Sequence, residues 1–405
     1  MPEIRSLNVL LYGEPIGMLT FLPGEQTILS FNQSYLNHPS RPVLSLSFKD
    51  TFGGLITDFK PTRIQLPPFF SNLLPEGHLR DYLANHAGVN AKREFFLLWI
   101  LGNDLPGAIT TEPADRKSWP PEISSNVQVS RKDVLRFSLA GVQMKFSAIA
   151  ETSGGLTIPA KGIGGSWIVK LPSTRFANVP ENEYSMMTLA KSIGMDIPEI
   201  RLVNFSKITG LPKDIEKIPG QALAVRRFDR TAQGPIHMED FAQVFGVYPD
   251  DKYKKASYKN IAEVLWQETG KAGIAEFIRR LVFNTFIGNA DMHLKNFSLL
   301  YPDRKNAKLS PGYDFVSTIA YLKDENMALK LVKSKRMTDL SLKQLSYLAA
   351  KVGLPEKGVL DTAKETVQRF RQAWRHERKH LPLTAHAIRI IEKNVKAVKL
   401  AGEVK

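Results

Sequence analysis

The chain contains no cysteine. Disulfide staples, thiolate zinc sites and a cysteine nucleophile are excluded, and a reducing, cytoplasmic setting is the expectation. Long hydrophobic runs are missing as well. The longest, "FFLLWILG", falls far short of the roughly 20 residues of a membrane-spanning helix, so no membrane partner is expected. The first twenty residues alternate apolar and polar, which argues against a cleaved leader. Internal repeats and low-complexity blocks are absent. An acidic balance is absent too: the net charge is +15. A basic surface attracts polyanions, nucleic acid above all, or simply keeps a chain solvated. The basic residues are spread out, with mild concentration in "YKKASYKN" and from Arg371 to Lys405, and no run is dense enough to be a DNA-reading element.

What is present is ordinary globular composition, 43% hydrophobic and 23% charged over 405 residues, enough for two or three domains. "LNVLLYGEPIGMLTFLPG" reads as two alternating strands joined by a Gly-Glu-Pro turn, and "LSLSFKD" as a further strand. "EGHLRDYLANHAG" reads as a helix stopped by Gly88, and "REFFLLWILGNDLPGAITT" as a helix turning into a strand. The Pro- and Ser-rich "EPADRKSWPPEISSN" marks a boundary near residue 115. Strand-like "RFSLAGVQMKFSAIA", "GLTIPA" and "SWIVKLP" follow, the last two separated by a "GIGG" turn, and then a helix, "ENEYSMMTLAKSIG", on which Glu183, Met186, Met187 and Ala190 share a face. "IPEIRLV" and "ALAVRRF" resume as strands. Beyond Asp229 the pattern is mostly helical, and Ile274, Phe277, Ile278, Leu281, Val282 and Thr285 keep the spacing of a helix packed into a core, with Gly288 as its C-cap. The expected division is 1–115, a β-rich region; 116–228, a β-rich lobe with one helix; and 229–405, a helical lobe.

Chemistry concentrates in "FIGNADMHLKNFSLLY". Asp291 and Asn296 stand at the D-x-x-x-x-N spacing with which protein kinases place a catalytic base and a magnesium ligand. A loop rigid between a buried helix and a strand can aim both into one cleft. The spacing alone arises about once by chance in a chain of this length, and an Asp and Asn capping a loop would look the same. "PGYDFVST" adds a second acid, Asp314, followed by Phe315 and Val316, so the glycine of a D-F-G triplet is missing. Lys170 lies within the apolar strand "SWIVKLP", and Glu183 on the apolar stripe of the next helix. An unpaired carboxylate there is costly, which makes the two natural partners. "SLAGVQMK", Ser138 to Lys145, stands where a phosphate-covering loop belongs, although it has a single glycine. The order of loop, strand Lys, helix Glu, D-x-x-x-x-N and second Asp is that of a two-lobed kinase.

"RFSLAGVQMK", "WIVKLP", "NEYSMMTLAKSIG", "ALAVRRFDR", "GNADMHLKNFSLL" and "YDFVST" resemble the HipA-type serine/threonine kinases of bacterial toxin–antitoxin modules, and "FFSNLLPEGHLRDYLA" and "ILGNDLPGAITT" resemble their extra N-terminal subdomain. The similarity runs to about residue 320. It implies an α+β, bilobal protein-kinase-like fold with a β-rich N-terminal subdomain and a large helical C-terminal lobe. Asp291 becomes the catalytic base, Asn296 and Asp314 the ligands of Mg2+, and Lys170 the contact to ATP phosphates, paired with Glu183. Ala140, Gly141, Val142, Gln143, Met144 and Lys145 form the loop over the phosphates. Arg226, Arg227 and Phe228 form the hinge against adenine, and His293, Leu294, Lys295, Asn296 and Tyr313 complete the nucleotide pocket. Ser138 matches the serine that such kinases phosphorylate on themselves. Relatives often carry an acid where Arg226 stands, so a hinge role there falls to the backbone, and often an acid at the place of Met144. The implied substrates are translation components, chiefly aminoacyl-tRNA synthetases such as the glutamyl enzyme. The implied partner is a HipB-like helix-turn-helix antitoxin with its operator DNA. Two other readings stand beside this one: a catalytically weak, DNA-associated co-repressor scaffold, and a small-molecule phosphotransferase.

Overall fold

The computed structural model describes residues 4–115, 145–150, 156–158, 165–173, 175–211, 220–323 and 326–405. Ser138, Ala140, Gly141, Val142, Gln143 and Met144 lie outside the described residues, as does most of the "GIGG" turn.

β1 (Ser6–Leu11) and β2 (Glu14–Leu22) form the expected hairpin. Its reversal falls on Tyr12 and Gly13, at φ of 55° and 81°, a two-residue turn that follows the strand twist. Glu14 and Pro15 already belong to β2, so the Gly-Glu-Pro reading of the turn is shifted. β3 (Gln26–Phe31), β4 (Thr62–Arg63) and β5 (Ile109–Pro113) complete a sheet of order β4-β3-β2-β1-β5. "LSLSFKD" is not a strand. Leu46–Phe48 form a 3-10 turn because the Ser45 side chain accepts from the Ser47 amide, and local capping outweighs the alternating pattern. Helices α1 (Gln33–Leu36), α2 (Pro68–Ser71), α3 (Gly77–His86) and α4 (Glu94–Leu101) accompany this sheet. α4 is apolar on all sides, the pattern of an interior helix, and its Phe95 to Ile100 share a core with Val9, Leu19 and Phe70.

The second sheet contains β6 (Lys145–Ala150), β7 (Leu156–Thr157), β8 (Trp167–Lys170), β9 (Ile200–Asn204), β10 (Ile208–Thr209) and β11 (Gln221–Arg226), in the order β10-β7-β6-β8-β11-β9. α5 (Val179–Ser192) buries Met186, Met187, Leu189 and Ala190 in one cluster with Leu223 and Val225 of β11. After the short ribbon of β12 (Arg230–Thr231) and β13 (Gly234–Pro235) comes a three-stranded sheet, β14 (His237–Asp240), β15 (Ser298–Tyr301) and β16 (Lys308–Leu309). The rest is helical: α6 (Phe241–Val244), α7 (Tyr258–Ile287), α8 (Leu342–Val352), α9 (Glu356–Glu377), α10 (Ala385–Ala397) and α11 (Lys399–Glu403). α7 is two helices joined at Gly270, where φ is 62° and ψ −150°. Its second half buries Ile274, Phe277, Ile278, Leu281 and Val282 as their spacing predicts, and ends at Gly288 with φ 70°. α8, α9 and α10 pack around it. The result is a mixed α/β molecule, β-rich toward the N-terminus and helical toward the C-terminus. Among the described residues no helix is long and apolar enough to cross a membrane.

Candidate active site

β8 ends on Lys170, which is 4% exposed. A buried ammonium requires charged partners. Glu183 of α5 and Asp314 both form ion pairs with its Nζ. Lys145, paired with Lys170 across β6 and β8, approaches Asp314 Oδ2 at 3.3 Å. Burial by itself lowers the pKa of Lys170, but Asp314 and Glu183 outweigh it and hold the ammonium above its ordinary value. Burial also opposes ionisation of Asp314, and Lys145 and Lys170 overcome it, so its carboxyl lies well below the usual range. Asp314 adopts a left-handed backbone at φ 57°, an arrangement that costs a non-glycine residue about 1–3 kcal/mol. The positive φ thus falls on the acid itself, in a triplet without glycine. Phe315 anchors it, fully buried with its ring 5.6 Å from that of Phe283 on α7.

The second half of the site is the loop that leaves α7 at Gly288. Asn289, 2% exposed, donates to Asn284 Oδ1 at 2.9 Å and to the Asp314 carbonyl at 3.3 Å, while its Oδ1 accepts from the Asp291 amide at 3.0 Å. One side chain thereby registers both acids. The Tyr253 hydroxyl donates to Asp291 Oδ1. Burial and Asp291 both raise the Tyr253 pKa, which keeps it a donor. Asn296 donates from Nδ2 to the Asp291 carbonyl at 2.8 Å, and Tyr258 donates to the Met292 carbonyl at 2.9 Å. His293 packs edge-on to Tyr253 with centroids 4.9 Å apart. Burial lowers its pKa to about 4, and its Nδ1 has no hydrogen-bond partner among the described residues.

Asp314 and Asn296 offer a carboxylate and a carboxamide oxygen, hard donors of the kind magnesium takes. Magnesium usually keeps waters and phosphate oxygens beside one or two protein ligands. The donor set therefore fits even though no group of three or more His, Asp or Glu suited to a metal occurs among the described residues.

Other expected site residues are placed differently. Tyr313 donates to the Lys295 carbonyl at 2.8 Å, bonds Ser298 Oγ at 2.6 Å, and lies 5.6 Å from the ring of Phe228. Leu294 is sealed in the core. Lys295 directs its ammonium to the Asn72 carbonyl and to Glu76 Oε1, each at 2.9 Å. Arg226 is exposed and pairs with Glu199 at 3.4 Å. Arg227 is buried in a joint with the N-terminal domain. Its Nε and Nη2 hold Asp229 at 3.0 and 2.9 Å, Nη1 holds Asp104 at 2.8 Å and Ser147 at 3.3 Å, and Nη2 also reaches the Leu105 carbonyl at 3.2 Å. Sequence spacing does not single out Asn289, Tyr253 or Asp104. Asn289 lies within the catalytic-motif stretch "GNADMHLKN", Tyr253 opens the charge-rich "YKKASYKN", and Asp104 sits in the turn "GNDLPG".

Fold and cluster together define a two-lobed, protein-kinase-like architecture with an added N-terminal domain. Residues 7–112 match the HipA N-terminal domain and residues 137–374 the HipA-like C-terminal domain. The chain belongs to the family of HipA-type kinase toxins. It is 54% identical over 406 residues to the kinase-designated protein Y4dM of Sinorhizobium fredii, covering 100% of this chain and 99% of that one. It is 26% identical over 354 residues to the serine/threonine-protein kinase toxin HipA of Shewanella oneidensis, covering 77% of each. A solved complex of Shewanella oneidensis HipA, HipB and operator DNA contains a chain of the same fold, with a TM-score of 0.74 at 22% identity, covering 98% of this chain and 99% of that one.

Proposed function

We propose that the protein is an ATP-dependent serine/threonine protein kinase and the toxin of a toxin–antitoxin pair. The observation that carries this reading is Lys170 held between Glu183 and Asp314, beside a loop that presents Asp291 and Asn296. Lys170 is the contact for the ATP phosphates, and Glu183 fixes its direction. Asp291 accepts the proton of the attacking serine hydroxyl, with Tyr253 holding one of its oxygens in place. Asp314 and Asn296 would hold Mg2+, which would supply positive charge against that growing on the transferring phosphoryl group. Phe228, Tyr313 and the backbone of Arg226, Arg227 and His293 to Asn296 enclose the nucleotide, and Ala140 to Lys145 are the proposed contact to its phosphates.

Ser138 is the proposed site of self-phosphorylation: a phosphate brings about −1.5 to −2 charges into a loop meant to hold ATP phosphates, and so silences the enzyme. The proposed substrate is a translation component, an aminoacyl-tRNA synthetase such as the glutamyl enzyme, whose phosphorylation arrests growth and produces persistence. The proposed partner is a HipB-like antitoxin on operator DNA, in keeping with the complex solved for the Shewanella relative and with a net charge of +15.

The test is the intact mass of unphosphorylated protein before and after incubation with magnesium ATP, alongside Asp291→Asn. A phosphate gained by the wild type, mapped to Ser138 and absent from the variant, is the expected result. No gain together with no binding of a fluorescent nucleotide overturns the reading. For the DNA partner, the antitoxin complex should bind operator with a steeper salt dependence than antitoxin alone.

A further inference from the structure

α3 of the N-terminal domain touches both kinase lobes. Its Leu79, Tyr82 and Leu83 share a core with Ala148 of β6 and with Trp167 and Val169 of β8, and Tyr82 meets Phe146 edge-on at 6.5 Å. Its N-terminal end serves the opposite lobe. Glu76 takes the N-cap position yet makes no side-chain cap bond, where Ser, Thr, Asp or Asn would be usual. Its carboxylate reaches away instead, with Oε2 2.6 Å from Lys252 Nζ and Oε1 2.9 Å from Lys295 Nζ.

Both lysines are tied to the catalytic loop. Lys295 lies between Asp291 and Asn296, and its ammonium also holds the Asn72 carbonyl of the same N-terminal domain. The Lys252 carbonyl accepts from the Leu294 amide at 3.5 Å, and its neighbour Tyr253 donates to Asp291. Without the carboxylate, two ammonium groups would face each other in a partly dry site, with Asp240, 3.7 Å from Lys295 Nζ, as the remaining counter-charge among the described residues. Burial opposes the charge on Glu76, but Lys295 and Lys252 overcome it and lower its pKa to about 2, so the clamp is closed at any physiological pH.

We propose that Glu76 is a positioning residue for phosphoryl transfer: by clamping Lys252 and Lys295 it orders the loop of Asp291 and Asn296, and through α3 it sets that loop against the strand bearing Lys170. The chemical meaning of the clamp rests on the kinase reading above; its effect on the order of the loop does not.

The experiment uses the full-length protein with Glu76→Gln, and with Arg93→Gln as the reference, because Arg93 pairs with Glu25 inside the N-terminal domain at 2.8 Å and away from the loop. At saturating magnesium ATP, Glu76→Gln should lose about 10-fold in turnover, as small misplacements of reacting groups do, with nucleotide affinity within about twofold and Arg93→Gln unchanged. Turnover of Glu76→Gln within about twofold of wild type, or an equal loss in Arg93→Gln, overturns the proposal. Should Glu76→Gln fail to fold, Lys252→Met carries the same comparison. A wild type without any transfer defeats the kinase reading instead, and hydrogen exchange then reads the clamp by itself. Faster exchange of the His293 and Asn296 amides in Glu76→Gln supports it, and unchanged exchange overturns it.

Discussion

The Arg227 and Lys170 clusters both bury charge where two parts of the chain meet, but they are built differently. In the first, a rigid guanidinium fork has partners for all five of its N–H donors, and Asp229 also accepts from Arg230 and from the Gly107 amide. Gly107 must be glycine here, since its φ is 78° and a Cβ would come 2.8 Å from the Met238 amide nitrogen. In the second, a single rotatable ammonium is shared by two carboxylates, one of them on left-handed backbone, with a half-exposed Lys145 at its edge. A closed set of bonds is a joint. An open set, with one of its acids on strained backbone, leaves a partner that can be exchanged, which is what the proposed phosphate contact of Lys170 requires.

The sharpest way to break this comparison is to remove each cation. Among the described residues Arg227→Met leaves Arg230 as the one cation paired with the buried Asp104 and Asp229, and it should cost about 3–5 kcal/mol of stability, read from denaturant unfolding. Lys170→Met should cost less than half of that, because Lys145 remains for Asp314 and burial already pulls the Glu183 carboxyl upward, toward its neutral form. Its loss should appear in activity, as about 100-fold or more in phosphoryl transfer. Equal stability costs for the two variants would erase the distinction between joint and site.

The other half of the same seam gives a smaller effect, in pH. Glu239 is buried beneath the N-terminal domain, accepting from Ser45, the Leu46 amide and Tyr301, and burial raises its pKa to about 7. Its folded pKa lies above the ordinary 4.5, so its contribution to stability is complete below that value and is lost as pH rises through about 7. Neighbouring His237 donates from Nε2 to the Leu44 carbonyl at 2.7 Å, and burial lowers its pKa to about 4. Its contribution is complete above the ordinary 6.5 and is lost as pH falls toward 4. Within this pair the two slopes oppose each other between about pH 5 and 6.5. Glu239→Gln removes the falling slope and keeps that of the histidine, so across this window its stability should rise with pH by about 2 kcal/mol more than that of the wild type. Thermal melts at closely spaced pH values check this, and a variant that follows the wild-type profile would show that Glu239 adds no opposing slope.

These contrasts also mark where the sequence could be read. The second half of α7, its glycine cap and the Lys170–Glu183 pairing were legible because each follows from local spacing or from a charge on an apolar element. The two-lobed order followed from motifs in sequence. The joint was not legible: Arg227 finds Asp104 across 123 positions, and no spacing rule joins them. Tyr253 reaches Asp291 across 38 positions from a stretch that reads as solvated charge. Leu46–Phe48 misled because alternation is a tendency of side chains, while one serine cap decides the backbone.

Arg226 completes the comparison as the weakest case. It is the neighbour of Arg227 on the same strand end, and strand alternation sends the two side chains to opposite faces. Its guanidinium meets Glu199 at 3.4 Å with both side chains about half exposed, at 55% and 42%, where water and salt screen the pair. Its amide donates to the Glu199 carbonyl at 2.8 Å, a bond indifferent to the side chain. Arg226→Ala should therefore change stability by no more than about 0.5 kcal/mol. If adenine is met by the backbone of the 226–228 segment, nucleotide affinity should also stay within about twofold in a fluorescent-nucleotide titration. A tenfold loss would instead put the guanidinium in the pocket, and Arg226→Glu would then separate a need for positive charge from a need for a long polar side chain.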